Sequence, residues 1–269
     1  TAASASQIYL DVGTDYTGAL QTGKGNATST GVKDEILYTY QSTTTITDVN
    51  GDGITAGDIV QTNIGLFGSN TLELNRVTGF NPGAVSDASD NGYGYPLAVP
   101  LPTWFLSFSA TNLVGVVTGF SASGAVLIDY APGGIINMLL TQDRGATYNN
   151  FMDLLIAGGG ATGVGTVLFG IPSFANVDAG YNNLIHAANG ANCAGETGFQ
   201  SLMACNPSAV VTWVNSQDTN VTVGQFKNNN DGTFSVSTNH DGSIAFNVPE
   251  PSMLLLRGGA LLGLGLSSH

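Results

Sequence analysis

The stretch 221–248, VTVGQFKNNNDGTFSVSTNHDGSIAFNV, decides the fold class. Three short runs of β-branched and aromatic residues (221–226, 234–237 and 243–248) are divided by Asp231-Gly232 and Asp241-Gly242. Asp-Gly between alternating runs is a hairpin signal, because the central residues of a tight primed turn take positive φ. The expectation is therefore a C-terminal β-meander. Working outward, the same signature recurs at 7–12, 36–47, 59–66, 71–77, 103–109, 114–120, 125–130, 135–140, 164–169 and 210–214. Two runs read as short helical connectors: 148–157, followed by Gly158-Gly159-Gly160, and the weaker 179–188. No fixed-period repeat or Pro/Ser-rich linker divides the chain. The reading is all-β: one β-sandwich-like domain over 1–247 and an apolar tail over 248–269.

Composition narrows the function. Six Lys and Arg stand against 19 Asp and Glu in 269 residues, a net charge of -13, so the chain lacks the basic footprint that nucleic acid requires. Only 9% of residues are charged, too few for a coiled coil, while 12 Phe, 9 Tyr and 2 Trp supply surface to bury and exclude a disordered chain. Two cysteines, Cys193 and Cys205, lie in an Asn/Gly/Ala-rich stretch. Their pairing would stabilise the fold by roughly 3 kcal/mol in an oxidising space. His186, His240 and His269 are scattered and no second Cys pair exists, which argues against a zinc site.

The sharpest motif is 48–58, DVNGDGITAGD. Asp48, Asn50 and Asp52 alternate as oxygen donors, Gly53 allows a sharp bend, the Ile54 carbonyl adds a donor, and Asp58 closes the set. The spacing is one residue shorter than an EF-hand and resembles the calcium loops of secreted bacterial modules. With a strand before it, the motif reads as a calcium-stapled β-hairpin or loop; the alternative is an Asx-rich turn holding only water. Gly158–Gly163 formally matches GxGxxG, but the residues after it read as a strand, so they serve a turn.

Catalytic signatures are lacking. There is no Gly-x-Ser-x-Gly elbow, and a Ser-His-Asp arrangement would have to recruit His186, which reads better as a satisfied structural histidine. Most aspartates sit beside Gly or Asn in turns, so no carboxylate pair stands out for glycoside chemistry. Trp104 and Trp213 lie in apolar strands and read as core, whereas Tyr93 and Tyr95, in a Gly/Asn/Asp loop, are candidate glycan contacts. The expectation is no catalytic residues and no enzyme.

The chain opens TAASAS without a basic, apolar leader, as expected for an exported protein after signal removal. Near the other end, Val248-Pro249-Glu250-Pro251-Ser252 precedes MLLLRGGALLGLGL at 253–266. As a helix those fourteen residues reach only about 21 Å, a marginal membrane span. The arrangement resembles the PEP-CTERM sorting tail of exported proteins from exopolysaccharide-producing Gram-negative bacteria. The resemblance covers about 22 residues and implies handling by exosortase-type machinery, secretion to the cell surface or matrix, and association with exopolysaccharide. The resulting expectation is a secreted cell-surface or biofilm-matrix structural protein that self-associates into filaments by strand or tail donation. The alternative is a monomeric, calcium-dependent, carbohydrate-binding adhesin.

Overall fold

The computed structural model describes residues 6–16, 27–65, 75–81, 91–94, 104–162, 165–188, 196–205, 212–217 and 221–248. Its elements in chain order are β1 (Ile8–Leu10), β2 (Glu35–Thr47), β3 (Ile59–Ile64), β4 (Arg76–Asn81), β5 (Phe105–Phe120), β6 (Val126–Tyr130), β7 (Ile135–Thr141), β8 (Asn149–Thr162), β9 (Gly165–Ser173), β10 (Ile185–Ala187), α1 (Phe199–Cys205), β11 (Thr212–Gln217), β12 (Lys227–Asn228) and β13 (Thr233–Asn247). The all-β expectation holds.

The strands form one large antiparallel sheet that closes on itself, plus a two-stranded ribbon of β1 and β10. β13 occupies one edge of β2 from Glu35 to Thr47, which leaves β3 and β4 to share the other edge end to end. β6 and β7 likewise share the gap between β5 and β8, and β11 and β12 share the free edge of β13. Going round, the order is β2, β3/β4, β5, β6/β7, β8, β9, β11/β12, β13 and back to β2. This is an up-and-down barrel of eight positions, each neighbour antiparallel and following in chain order. The layers that a sandwich would hold as separate sheets are therefore joined all round.

The meander expectation needs one correction. Asp231-Gly232 does turn the chain: Asn230 and Gly232 have φ of 62° and 82°, and β12 pairs back on β13. Asp241-Gly242, by contrast, is ordinary strand, paired to Thr39 and Tyr38. A local turn preference is overridden there by a thirteen-pair register with β2, which satisfies the backbone over the whole length.

The helix expected at 148–157 is also strand. β8 runs through it and through Gly158-Gly159-Gly160, with β7 on one edge and β9 on the other. Phe151, Met152, Asp153 and Leu154 are all buried, so this strand is covered on both faces. The glycines are not a helix cap. Gly158 lies under the Phe169 ring, 3.2 Å from an added Cβ, and a Cβ on Gly159 would meet the Val167 carbonyl. Within 179–188, β10 replaces the second expected helix, and α1 appears where no helix was expected.

Alternate residues of β2 from Ile36 to Ile46 point inward and are buried. One end of the barrel is filled by a large apolar cluster containing Trp104, Trp213, Phe105, Phe151 and Phe246, as expected for the tryptophans. Its cover includes β1 and α1, where Phe199 packs edge-on against Phe246 at 5.3 Å. The other end holds a smaller cluster of Ile46, Ile54, Val60, Val117 and Val126. There the segment 221–226 crosses the barrel, with the Val126 N–H donating to the Val221 carbonyl at 2.9 Å.

Candidate functional site

Between the two clusters the barrel interior turns polar. The β2–β13 register sets Ser42 opposite Thr238 and Tyr40 opposite His240. The Ser42 hydroxyl lies 3.0 Å and the Thr238 hydroxyl 2.6 Å from His240 Nε2, and the Tyr40 ring is 4.8 Å from the imidazole, centroid to centroid. Across the chamber Thr44, Thr62 and Tyr130 form a hydroxyl chain with links of 3.0 and 2.9 Å. The remaining walls include Val126, Phe226 and Val236, and among the described residues no Asp, Glu, Lys or Arg lines the chamber. Its cavity volume is about 30 Å³, and it opens to solvent. Burial pushes the Tyr40 phenol well above its ordinary pKa; burial also raises Tyr130, partly offset by its bond to Thr62. Both stay neutral donors at physiological pH.

Sequence reasoning missed this site because it placed His240 in a turn. The signal that finds it is period two: Phe234, Val236, Thr238, His240, Gly242, Ile244 and Phe246 share one face of an unbroken strand.

The loop 48–58 joins β2 to β3 and is organised by its own amides. Asp48 Oδ1 accepts from the Asn50 and Gly51 N–H groups, and Oδ2 accepts from Gly53. The N–H of Gly53, then those of Gly51 and Asn50, hold the Asp48 carboxyl below the usual aspartate range. Asp58 is fully buried and accepts from the Val49 N–H at 3.1 Å and the Thr55 N–H at 2.7 Å. Asn50 accepts from the Asp52 N–H, and Asp52 accepts from the Thr55 hydroxyl. Ile54 turns inward into the smaller apolar cluster. The donors are all hard oxygens suited to calcium, but Asp48, Asp52 and Asp58 do not converge as a group of three acidic ligands.

The other expected residues fall as follows. Tyr93 is not an exposed glycan contact: it is buried, donates to the Val77 carbonyl at 2.6 Å, and packs edge-on against Phe80 and Trp104. Its loop residues are polar, yet the ring fills the barrel core. Tyr95 lies outside the described residues, as does Cys193; the helix α1 ends at Cys205. Of the sorting motif, Val248 is buried, its N–H donating to the Ser6 hydroxyl, while Pro249, Glu250, Pro251 and Ser252 lie outside the described residues. His186 is buried, stacked on Tyr9 at 4.7 Å, with Nε2 donating to the Asn183 carbonyl and Nδ1 accepting from Thr197. That is a structural histidine.

A second buried polar group escaped sequence reading. Asp153 on β8 is fully buried, and its carboxylate accepts from the side-chain amides of Asn137, Asn150 and Asn176 at 2.7, 2.8 and 3.2 Å. Asp153→Asn turns one acceptor oxygen into a donor facing other donors. It is expected to cost about 2 kcal/mol, read as a lower urea midpoint; an unchanged midpoint contradicts the assignment.

The outer walls carry unusual apolar surface. On one side Ile59 of β3 is paired with Val116 of β5, and Val114 stands two residues along; all three are exposed. On the other side Phe169 of β9, 48% exposed, is paired with Val214 of β11, 46% exposed, with Ile171 beside them. With β2 as the first position, these patches sit at positions two and three and at six and seven of eight, on opposite walls. A comparison with protein families, curated proteins and solved structures finds no match to this chain.

Proposed function

We propose that this chain is an exported structural protein of the cell surface or extracellular matrix that polymerises through the walls of its barrel. The observation that carries the reading is the opposed pair of exposed apolar patches, Ile59/Val114/Val116 and Phe169/Ile171/Val214. Paired large apolar side chains left in water favour association, and two sticky walls facing opposite ways give contacts that propagate instead of closing. A second copy is the fitting occupant because the two walls offer like apolar surfaces to each other, and their burial has to outweigh the repulsion between chains of net charge -13. A closed barrel offers few free sheet edges, so side-chain faces take the part that strand donation would play in an open sheet. Export, exosortase-type handling and an exopolysaccharide partner belong to the same proposal and rest on the resemblance of the C-terminal motif. Negative-stain electron microscopy of the purified chain is expected to show fibres whose length grows with concentration. Isolated particles at every concentration would overturn the reading.

Calcium at the loop 48–58 is part of this proposal. Asp48 Oδ2 and the two Asp58 oxygens each accept one amide and keep a lone pair for a cation, whereas Asp48 Oδ1 already accepts two, and the loop is already bent round its donors. The ion would displace the Asp52–Thr55 contact and fasten β2 to β3. Chelator is expected to lower the thermal midpoint by about 5 °C. An identical midpoint with calcium and with chelator removes calcium from the account.

A further inference from the structure

We propose that the apolar segment 253–266 lies on the Phe169/Ile171/Val214 wall of its own chain and withholds that wall from a second copy. The inference rests on the polymerisation reading, because it names what regulates one of the two adhering walls.

The first argument is where the chain leaves the barrel. The described residues stop at Val248, whose N–H donates to the Ser6 hydroxyl and whose carbonyl accepts from it. β13 therefore delivers the chain at a fixed point beside this wall. Val214 faces Ala245, three residues back from Val248 and one strand over, about 10 Å along the strand and about 5 Å across. Thr212 faces Asn247 and Trp213 faces Gly170, so Ile171 stands level with the exit, two strands over. The spacer 249–252, PEPS, spans about 12 Å when extended, which brings the leucines after it to the wall. The other wall is out of range. Ile59 faces Thr47 at one end of β2 and Ala245 faces Glu35 at the other, ends that lie about 40 Å apart.

The second argument is chemical. The segment carries seven leucines and a single charge, Arg257. Laid on Phe169, Ile171 and Val214, which are exposed, it removes two apolar surfaces from water at once. The charge is answered in the same row of side chains: Phe169 faces Val214, Val214 faces Ala245, and Ala245 faces Glu35. Ile36 points inward, so Glu35 stands on the outer face, where its carboxylate complements the guanidinium.

The third argument is the tether. A segment on a short spacer meets its wall at an effective concentration on the order of millimolar, so it excludes a second copy present at micromolar concentration and yields as that concentration rises. Assembly is shifted to higher concentration without being abolished.

The test compares the full chain with a full-length variant carrying Leu254→Gln, Leu255→Gln and Leu256→Gln, which leaves every residue of the barrel in place. In dilute solution, NMR of the unaltered chain is expected to show contacts within one molecule between leucine methyls of 253–266 and the Phe169 ring, and the variant should lose them. In sedimentation velocity the variant should assemble at about tenfold lower concentration, because a tethered competitor has been released. Three results would overturn the proposal: no such contacts, contacts found only between differently labelled copies, or an assembly threshold that the variant leaves unchanged or raises. Contacts within the chain with no assembly by either protein at any concentration would sustain the docking and sink the polymerisation reading, so the two failures are told apart.

Discussion

Gly170→Ala is expected to lower the unfolding free energy by about 3 kcal/mol, the cost of forcing new volume into a packed site that cannot yield. Gly170 lies on β9 between Ile156 of β8 and Trp213 of β11. A Cβ there would fall on the Leu155 carbonyl oxygen, 2.9 Å from its carbon and 3.1 Å from the Ala157 nitrogen. All three are backbone atoms. The β8 register also shifts between Ile156 and Gly158, beside the same position. Relief therefore requires the two strands to part. Gly134→Ala is the control, because its Cβ would meet the ends of the Leu113 and Ile156 side chains, which can rotate away. Urea unfolding of both variants should show a much larger midpoint shift for Gly170→Ala. Equal, small shifts would contradict the β8–β9 pairing.

The second large effect concerns assembly. Phe169→Lys and Val116→Lys each place a charge in the middle of one apolar wall, at side chains already 48% and 42% exposed. Val116→Lys should change the fold little, since exposed substitutions away from packed sites typically cost under about 0.5 kcal/mol, whereas Phe169→Lys also uncovers Gly158 and is expected to cost about 1 kcal/mol. Association should change greatly, because a buried ammonium without a partner is costly at a contact. A two-walled unit propagates only while both walls adhere. Either substitution alone is therefore expected to abolish fibres, leaving pairs at most, even though the opposite wall is untouched.

Much of the barrel was legible from local pattern. β2 alternates cleanly from Ile36 to Ile46, and β3, β6 and β7 are bounded by turn residues close to where the strands end. What escaped was set by partners distant in sequence. Asp241-Gly242 has turn chemistry, but its backbone is committed to Thr39 and Tyr38, some two hundred residues away. Phe151 to Leu154 are buried on both faces of β8, Asp153 among its asparagine amides, and such a run has no period to read. Tyr93 sits among loop-forming residues, yet closure of the barrel brings Phe80 and Trp104 to its ring.

The candidate sites divide the same way. The loop 48–58 was visible because all its groups are contiguous, including the carboxylate of Asp58 that caps Val49 and Thr55. The chamber was not, because Ser42, Thr62, Tyr130 and His240 come from four strands and meet only when β13 seals against β2. The apolar walls likewise become facing pairs only in register: Val116 meets Ile59, and Phe169 meets Val214.

Sedimentation velocity over a concentration series, run on the unaltered chain beside Phe169→Lys and Val116→Lys, tests cohesion through opposed walls most directly. The account predicts large, concentration-dependent species for the unaltered chain and nothing beyond a dimer for either variant. A monomeric unaltered chain, or large assemblies that persist in both variants, would contradict it.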